Sequence, residues 1–316
     1  MGLLRVPRLK PDHRRAARTT CRAMRLAMEL CSPGRSIRDL VVQVEELMQQ
    51  EHCEPSFPTL ASVNAWAAHF APSEECSIIL RAGDLVKFDL GASRNGYICD
   101  MARTVIVGAD QTYLPLIAAS QGAFQRAFEA LSELPTNRHL ANLMDRESRG
   151  RGFTPVDDLL GHRISRNILH DGTFLIGASI EAGQRLPERR IEQGWTVAIE
   201  PFASTGGSHI RYESSKDAEV LSCKRITETR RRELPNRIGE FYDRVFARFG
   251  TRYISGRWCE DLHSEYRSLL DQLVAERIVE RDLPMRETNS AFVSHHENTV
   301  YLGADGPEIL TNVEDL

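Results

Sequence analysis

The chain has 316 residues, 41% of them hydrophobic and 27% charged, the balance of a folded globular protein of one large or two smaller domains. A formal net charge of −4 gives no support to general binding of nucleic acid or acidic substrates, and no apolar run approaches membrane-spanning length. The seven cysteines contain no CxxC pair, which speaks against a disulfide framework or a thiolate zinc site; with no apolar leader at the start, a soluble cytoplasmic protein is expected.

In chain order, small and apolar residues recur at helical spacing over 12–31, and Ser32-Pro33-Gly34 ends that run. Ser36 with Asp39 has the form of a capping box opening a second helix, with Leu40, Val41, Val44 and Leu47 on one side. Residues 84–90 and 97–107 are rich in β-branched and aromatic side chains around Ser93-Arg94-Asn95-Gly96, so they predict a β-hairpin. A third helix is expected over 113–134, its stripe being Leu114, Ile117, Phe124, Phe128 and Leu131, with Pro135 as its stop. A fourth lies near 138–148, followed by a strand over 194–202. Residues 226–279 are highly charged and helical in pattern, and read as an insertion before a strand over 297–303. Helices and antiparallel hairpins in blocks favour an α+β fold.

The hairpin poses a problem of charge. A turn centred on Arg94-Asn95 makes Asp89 and Asp100 direct cross-strand neighbours, and one centred on Asn95-Gly96 makes them diagonal neighbours. Both registers put them on one face, because side chains alternate with period two. Two such charges about 5 Å apart repel by roughly 3 kcal/mol at an effective dielectric near 20, before desolvation. Protonation, a buried cationic side chain or a divalent cation offsets this, unless the polar face simply meets water. Glu200 and Glu297 are further carboxylates in strand-like sequence, and His162 follows a glycine in "LLGHRIS". Singly, each has an ordinary reading as a core or surface residue. Together, four carboxylates and one imidazole form an oxygen-dominated set suited to a pair of divalent Mn, Co, Fe or Zn ions.

The order Asp, ten residues, Asp, then Gly-His, then Ile-Glu-Pro, then a final Glu before Thr resembles the methionine and proline aminopeptidase superfamily with the pita-bread fold. It is most similar to type 2 methionine aminopeptidases, through "PSFPTLASVNAWAAHFAP", the hairpin, "LLGHRISRNILHDG", "AIEPFASTGG" and "HENTVYL". Glu200 and Glu297 lie 97 positions apart, which leaves room for the helical insert of that type. The resemblance implies a catalytic domain over 1–225, an inserted helical, winged-helix-like subdomain over 226–285, and final catalytic strands and tail over 286–316. It implies a metallo-aminopeptidase that removes N-terminal methionine through a hydroxide bridging two divalent ions held by Asp89, Asp100, His162, Glu200 and Glu297, with Glu200 also the base. His69 and His170 match the active-site histidines, and Phe57 and Leu169, with those histidines, the pocket for the first side chain.

The expected partner is a peptide or nascent protein N-terminus, with no DNA, no membrane and a monomeric enzyme. Six Arg or Lys residues among the first eighteen, and the basic run 224–237, are solvated faces or points of ribosome contact. Departures from the family pattern are Arg163 and Ser165 around the isoleucine after Gly-His, Asp171 beside His170, Asn298 after the last glutamate, and the absence of an expected proline and asparagine from "FLIGASIEAGQ". Those around His162 and His170 motivate one alternative, a paralogue acting on another small peptide or biosynthetic intermediate; the other alternative is a non-catalytic binding protein of the same fold, against which all five ligands and both histidines are retained.

Overall fold

The computed structural model describes residues 8–156, 159, 161–172 and 188–313. The stretch "FLIGASIEAGQ" lies outside the described residues. Helix α1 (Pro11–Leu30) starts with proline in its first turn, where the missing N–H has no helical partner to lose. Helix α2 (Ile37–Gln50) is capped by Ser36, whose Oγ accepts from the Asp39 N–H at 3.3 Å. The reciprocal half of a capping box is not what Asp39 does, since its Oδ1 accepts from the Arg38 guanidinium. Leu40, Val41, Val44 and Met48 are buried on α2, and Leu47 only partly.

The hairpin pairs Leu85–Arg94 with Tyr97–Ile106, setting Asp89 opposite Ala102 and Gly91 opposite Asp100. Of the two possible registers it is the one centred on Asn95-Gly96. Both residues have left-handed backbone, φ 52° and 82°, which an Asn-Gly pair adopts with little strain and which matches the twist of the strands. The aspartates are therefore diagonal neighbours. Gly91 permits a close approach, since a Cβ there would lie 2.4 Å from Ser56 Oγ and 2.5 Å from the Cys99 carbonyl oxygen.

The central antiparallel sheet runs in the order Glu54–Pro55, Leu85–Arg94, Tyr97–Ile106, Glu297–Gly303, Thr196–Ile199 and His162–Ile164, with Leu60–Val63 on the first hairpin strand and Gly306–Ile309 on Glu297–Gly303. Val86, Phe88, Leu90, Ala92 and Met101 pack with α1 and α2 in the largest apolar cluster. By alternation, Lys87, Asp89 and Asp100 point to the other face. Helix α3 (Leu114–Ala130) buries Leu116, Ala119, Ala123, Phe124 and Ala127. Leu114, expected in its apolar stripe, is 49% exposed at the first turn, and the small alanines at helical spacing form the packing face instead. The helix ends earlier than expected, in a 3-10 turn at Leu131–Glu133, and Leu134 takes a left-handed conformation. Helix α4 (Asn137–Gly150) is capped by Thr136 and packs beside α3.

The strand expected over 194–202 is two, Thr196–Ile199 and Phe202–Ser204, because Pro201 has no N–H for the ladder. Glu200 thus sits in a break rather than inside a strand. Helices α6 (Asn236–Phe249) and α7 (Tyr266–Ala275) gather a core of their own around Phe241, Val245, Leu270 and Leu273, and α5 (Glu228–Glu233), with no buried residue, lies at its edge. Three short strands, Tyr253–Ile254, Val220–Cys223 and Val279–Asp282, share that core. No helix among the described residues is long and apolar enough to cross a membrane, and all seven cysteines are buried and free.

Buried Glu45 on α2 joins this helical unit to the sheet: its Oε1 accepts from the Thr59 N–H at 3.0 Å, and its Oε2 from Arg257 Nη2 at 2.5 Å and Trp258 Nε1 at 2.7 Å. Replacing it strands the Thr59 N–H, the Trp258 N–H and the half-buried Arg257 guanidinium without their acceptor, which costs more than breaking a surface pair. Glu45→Ala is expected to lower the unfolding free energy by about 2–4 kcal/mol in urea denaturation. A loss below about 1 kcal/mol, the range of an exposed pair, would contradict this role.

Candidate metal centre

Register brings the scattered acids together. Asp100 N–H donates to Thr299 Oγ1 at 2.7 Å and the same hydroxyl donates back to the Asp100 carbonyl at 2.8 Å, locking the hairpin to the strand that begins at Glu297. Glu297 pairs with Ala102, so it shares the face of Asp100 and Asp89. Thr299 pairs with Ala198, and Ala198 with His162, which continues that face across the sheet. Glu200, two residues beyond Ala198, reaches the same place from the break before Pro201. The five residues predicted as ligands therefore converge, lining one narrow cavity of about 60 Å³.

Nε2 of His162 lies 3.7 Å from Asp100 Oδ2 and 3.8 Å from Glu200 Oε1. Donor atoms of Asp100, His162 and Glu297 lie within 4.8 Å of one another, as do those of Asp89, His295 and Glu297. Burial is severe: Asp100 is 3% exposed and Glu297 1%. Burial, followed by the neighbouring carboxylates, pushes Asp100, Glu200 and Glu297 well above the usual carboxylate range, and burial raises Asp89 to about 7. Burial and His170 push His162 down to about 3, leaving a neutral imidazole able to ligate. Asp89 Oδ1 and Glu297 Oε1 are buried without a hydrogen-bond partner. A carboxylate oxygen in that situation fits a cation, and the oxygen-dominated donor set fits a divalent one.

His69 and His170 stand on the walls of the same cavity. His69, in left-handed backbone, places Nδ1 3.0 Å from Asp282 Oδ2. The His170 ring meets His162 edge to face at 4.3 Å, and burial with nearby His69 holds its pKa down at about 4. Phe57 and Leu169 pack in one apolar cluster with Leu60, Val220 and Tyr253, at the cavity mouth.

Two residues of the site escaped sequence reading. His295 is buried on the strand Val293–His295, with Nε2 3.5 Å from Glu297 Oε2; its position two residues before Glu297 in "SHHENTVYL" is the signal that could have found it. Asp282 ends a short charged strand and has no distinguishing pattern.

The departures from the family pattern resolve into local arrangements. Asp171 Oδ2 accepts from Arg163 Nη2 at 2.5 Å and from Ser165 Oγ, and Asp171 N–H donates to the Arg163 carbonyl. These three replacements thus form one network beside His170. Arg163 pairs with Val197, on the face opposite His162, and its guanidinium lies over the Trp195 ring, so it does not enter the cavity. Asn298 likewise faces away from Glu297, accepting from Arg103 Nη2 at 2.8 Å.

The model of metallopeptidase family M24 matches residues 12–219. A methionine aminopeptidase of Thermococcus kodakarensis is 28% identical over 287 residues, covering 90% of this chain and 93% of the relative. Among solved structures, a thermophilic Arx1 superposes with a TM-score of 0.78 at 18% identity, covering 95% of this chain and 89% of that one. A methionine aminopeptidase from Thermotoga maritima gives 0.67 at 19% identity, covering 98% and 100%. These structural likenesses speak for the fold, which is the pita-bread α+β fold. With the family model matching most of its length, the chain belongs to metallopeptidase family M24, as a divergent metallo-aminopeptidase.

Proposed function

We propose that the chain releases the first residue, methionine, from peptides or protein N-termini, using two divalent ions held by Asp89, Asp100, His162, Glu200 and Glu297. The observation that carries this reading is the convergence in one cavity of Asp89, Asp100, Glu297 and a neutral imidazole from one sheet face with Glu200 from the adjoining break, beside two further histidines. Bound there, the ions supply a nucleophilic water at neutral pH and a Lewis acid for the substrate carbonyl. Glu200 takes the proton of the attacking water, since burial, and after it the neighbouring Asp89 and Asp100, raise its affinity for one. The Asp282 carboxylate, 3.0 Å from His69 Nδ1, holds the ring by charge, so that His69 serves the amide nitrogen as it leaves. His170, neutral above about pH 4, donates a ring N–H to the developing oxyanion. Phe57 and Leu169 bound the pocket for the first side chain.

A second reading keeps the chemistry and changes the substrate. Asp282 places a carboxylate, its side chain 27% exposed, among the apolar pocket residues, which favours a first residue with a hydrogen-bonding or cationic group. Ribosome contact gains little from 224–237, because Lys224, Arg230, Arg231, Arg232 and Arg237 are each ion-paired with an acid of the same fold.

The test is a panel of tripeptides with methionine or other first residues, assayed with Co, Mn, Fe and Zn in turn. Release of methionine from Met-Ala-Ser is expected; release of a different residue selects the second reading, and no release of any residue with any metal contradicts both. His69→Ala is expected to lower kcat by about 10²–10⁴-fold with metal content unchanged. Loss of the metals from that variant would show that His69 has a different role.

Metal removal has a sign that can be worked out. Asp89, Asp100, Glu200 and Glu297 hold protons in the folded metal-free protein at pH values where the unfolded chain has lost them. The buried histidines act oppositely, but only below the unfolded histidine pKa of about 6.5; Lys87, pushed well below its ordinary range by burial, also acts oppositely but is one group against four carboxyls. Above that pH the folded state binds more protons, so stability falls as pH rises, by up to about 1.4 kcal/mol per pH unit for each carboxyl still protonated. The chelated protein is therefore expected to melt at a lower temperature at pH 8 than at pH 6.5, with the loss abolished by saturating cation. A chelated melting temperature that rises over this window would contradict the assignment.

A further inference from the structure

One buried donor at the centre has no part in the five-ligand set. His295 is 1% exposed, and its Nε2 has no hydrogen-bond partner. That nitrogen lies 3.5 Å from Glu297 Oε2 and 3.8 Å from Glu200 Oε2, too far for a hydrogen bond to either. The spacing approaches that of two donors sharing one ion, since ligands about 2.1 Å from a cation are separated by about 3.0–3.4 Å at octahedral or tetrahedral angles. The ring cannot easily turn elsewhere. It stacks on Phe202 at 3.7 Å and 16°, and its backbone is tied to Thr104 Oγ1, which accepts from His295 N–H at 2.7 Å and donates to its carbonyl at 2.8 Å.

The possible ligand groups are also symmetric. Asp100, His162 and Glu297 form one, and Asp89, His295 and Glu297 the other, with Glu297 common to both. We propose that His295 is a sixth protein ligand, so that each of two cation positions sharing Glu297 takes one imidazole, His162 at the first and His295 at the second. This rests on the metal centre proposed above and adds to it a nitrogen donor at a position otherwise served by carboxylates. Its consequence is selectivity. An added imidazole shifts preference at the second position toward Zn, Fe or Co and away from Mn.

The test uses the full chain, stripped by chelation and titrated with Co(II). Calorimetry gives the two affinities, and proton NMR counts hyperfine-shifted exchangeable imidazole N–H signals. Two signals are expected in the wild type and one in His295→Gln, with the weaker site losing at least about tenfold in Co(II) affinity and less in Mn(II) affinity. Unchanged affinities and two remaining signals in the folded variant would overturn the sixth ligand while leaving the five-residue centre intact. A wild type that takes up no Co(II) would instead overturn the centre itself, and the sixth ligand with it. Should His295→Gln fail to keep the wild-type circular dichroism, the wild-type count decides alone, one signal overturning the proposal and two supporting it.

Discussion

Three carboxyl groups forced onto one face of an antiparallel sheet, with a fourth brought beside them from the break before Pro201, are the constraint on which the rest of this molecule depends. Desolvation and mutual repulsion both oppose their ionisation, and the result is a set of carboxyls held well above their ordinary pKa range. A buried set of this kind is unstable in isolation and strongly stabilised by cations. The same property that makes the centre costly to assemble makes it able to hold metal tightly.

The fold meets this constraint through register. Asn95-Gly96 sets the hairpin so that Asp89 and Asp100 are offset diagonally, and the Thr299 hydroxyl aligns the strand of Glu297 with Asp100. Pro201 interrupts the next strand where Glu200 must leave the ladder. On the opposite face, α1 and α2 bury the alternate residues of the same strands, so a slip by one residue would exchange core for acid. Glu45, Arg257 and Trp258 tie the helical unit to α2, and the strands of that unit carry Tyr253 and Asp282 to the cavity.

Much of this was legible in the chain itself, for identifiable reasons. Asp89, Asp100, Glu200 and Glu297 violate strand patterning, and carboxylates in apolar sequence are visible without a structure. The choice between the two hairpin turns was not, because Arg94-Asn95 and Asn95-Gly96 satisfy the same composition and only the backbone angles separate them. The β-rich run over 194–202 places Glu200 inside a strand, although Pro201, which cannot donate to a ladder, is the signal in the sequence for the break. Periodicity alone puts Leu114 in the core stripe, although the alanines of α3 are the buried residues. Arg163, Ser165 and Asp171 read as three separate irregularities, and their mutual hydrogen bonds appear only when the loop is folded. His295 and Asp282 owe their positions to elements far away in sequence, so local pattern carried no sign of their neighbours.

The most direct measurement is anomalous diffraction at the absorption edge of a metal bound to crystals grown without chelator. The account predicts two peaks, about 3.5–4 Å apart, between Asp89, Asp100, His162, Glu200 and Glu297. Crystals soaked in Co, Mn, Fe and Zn that show no peak among these five residues, with their carboxyls hydrogen-bonded to one another instead, would contradict it.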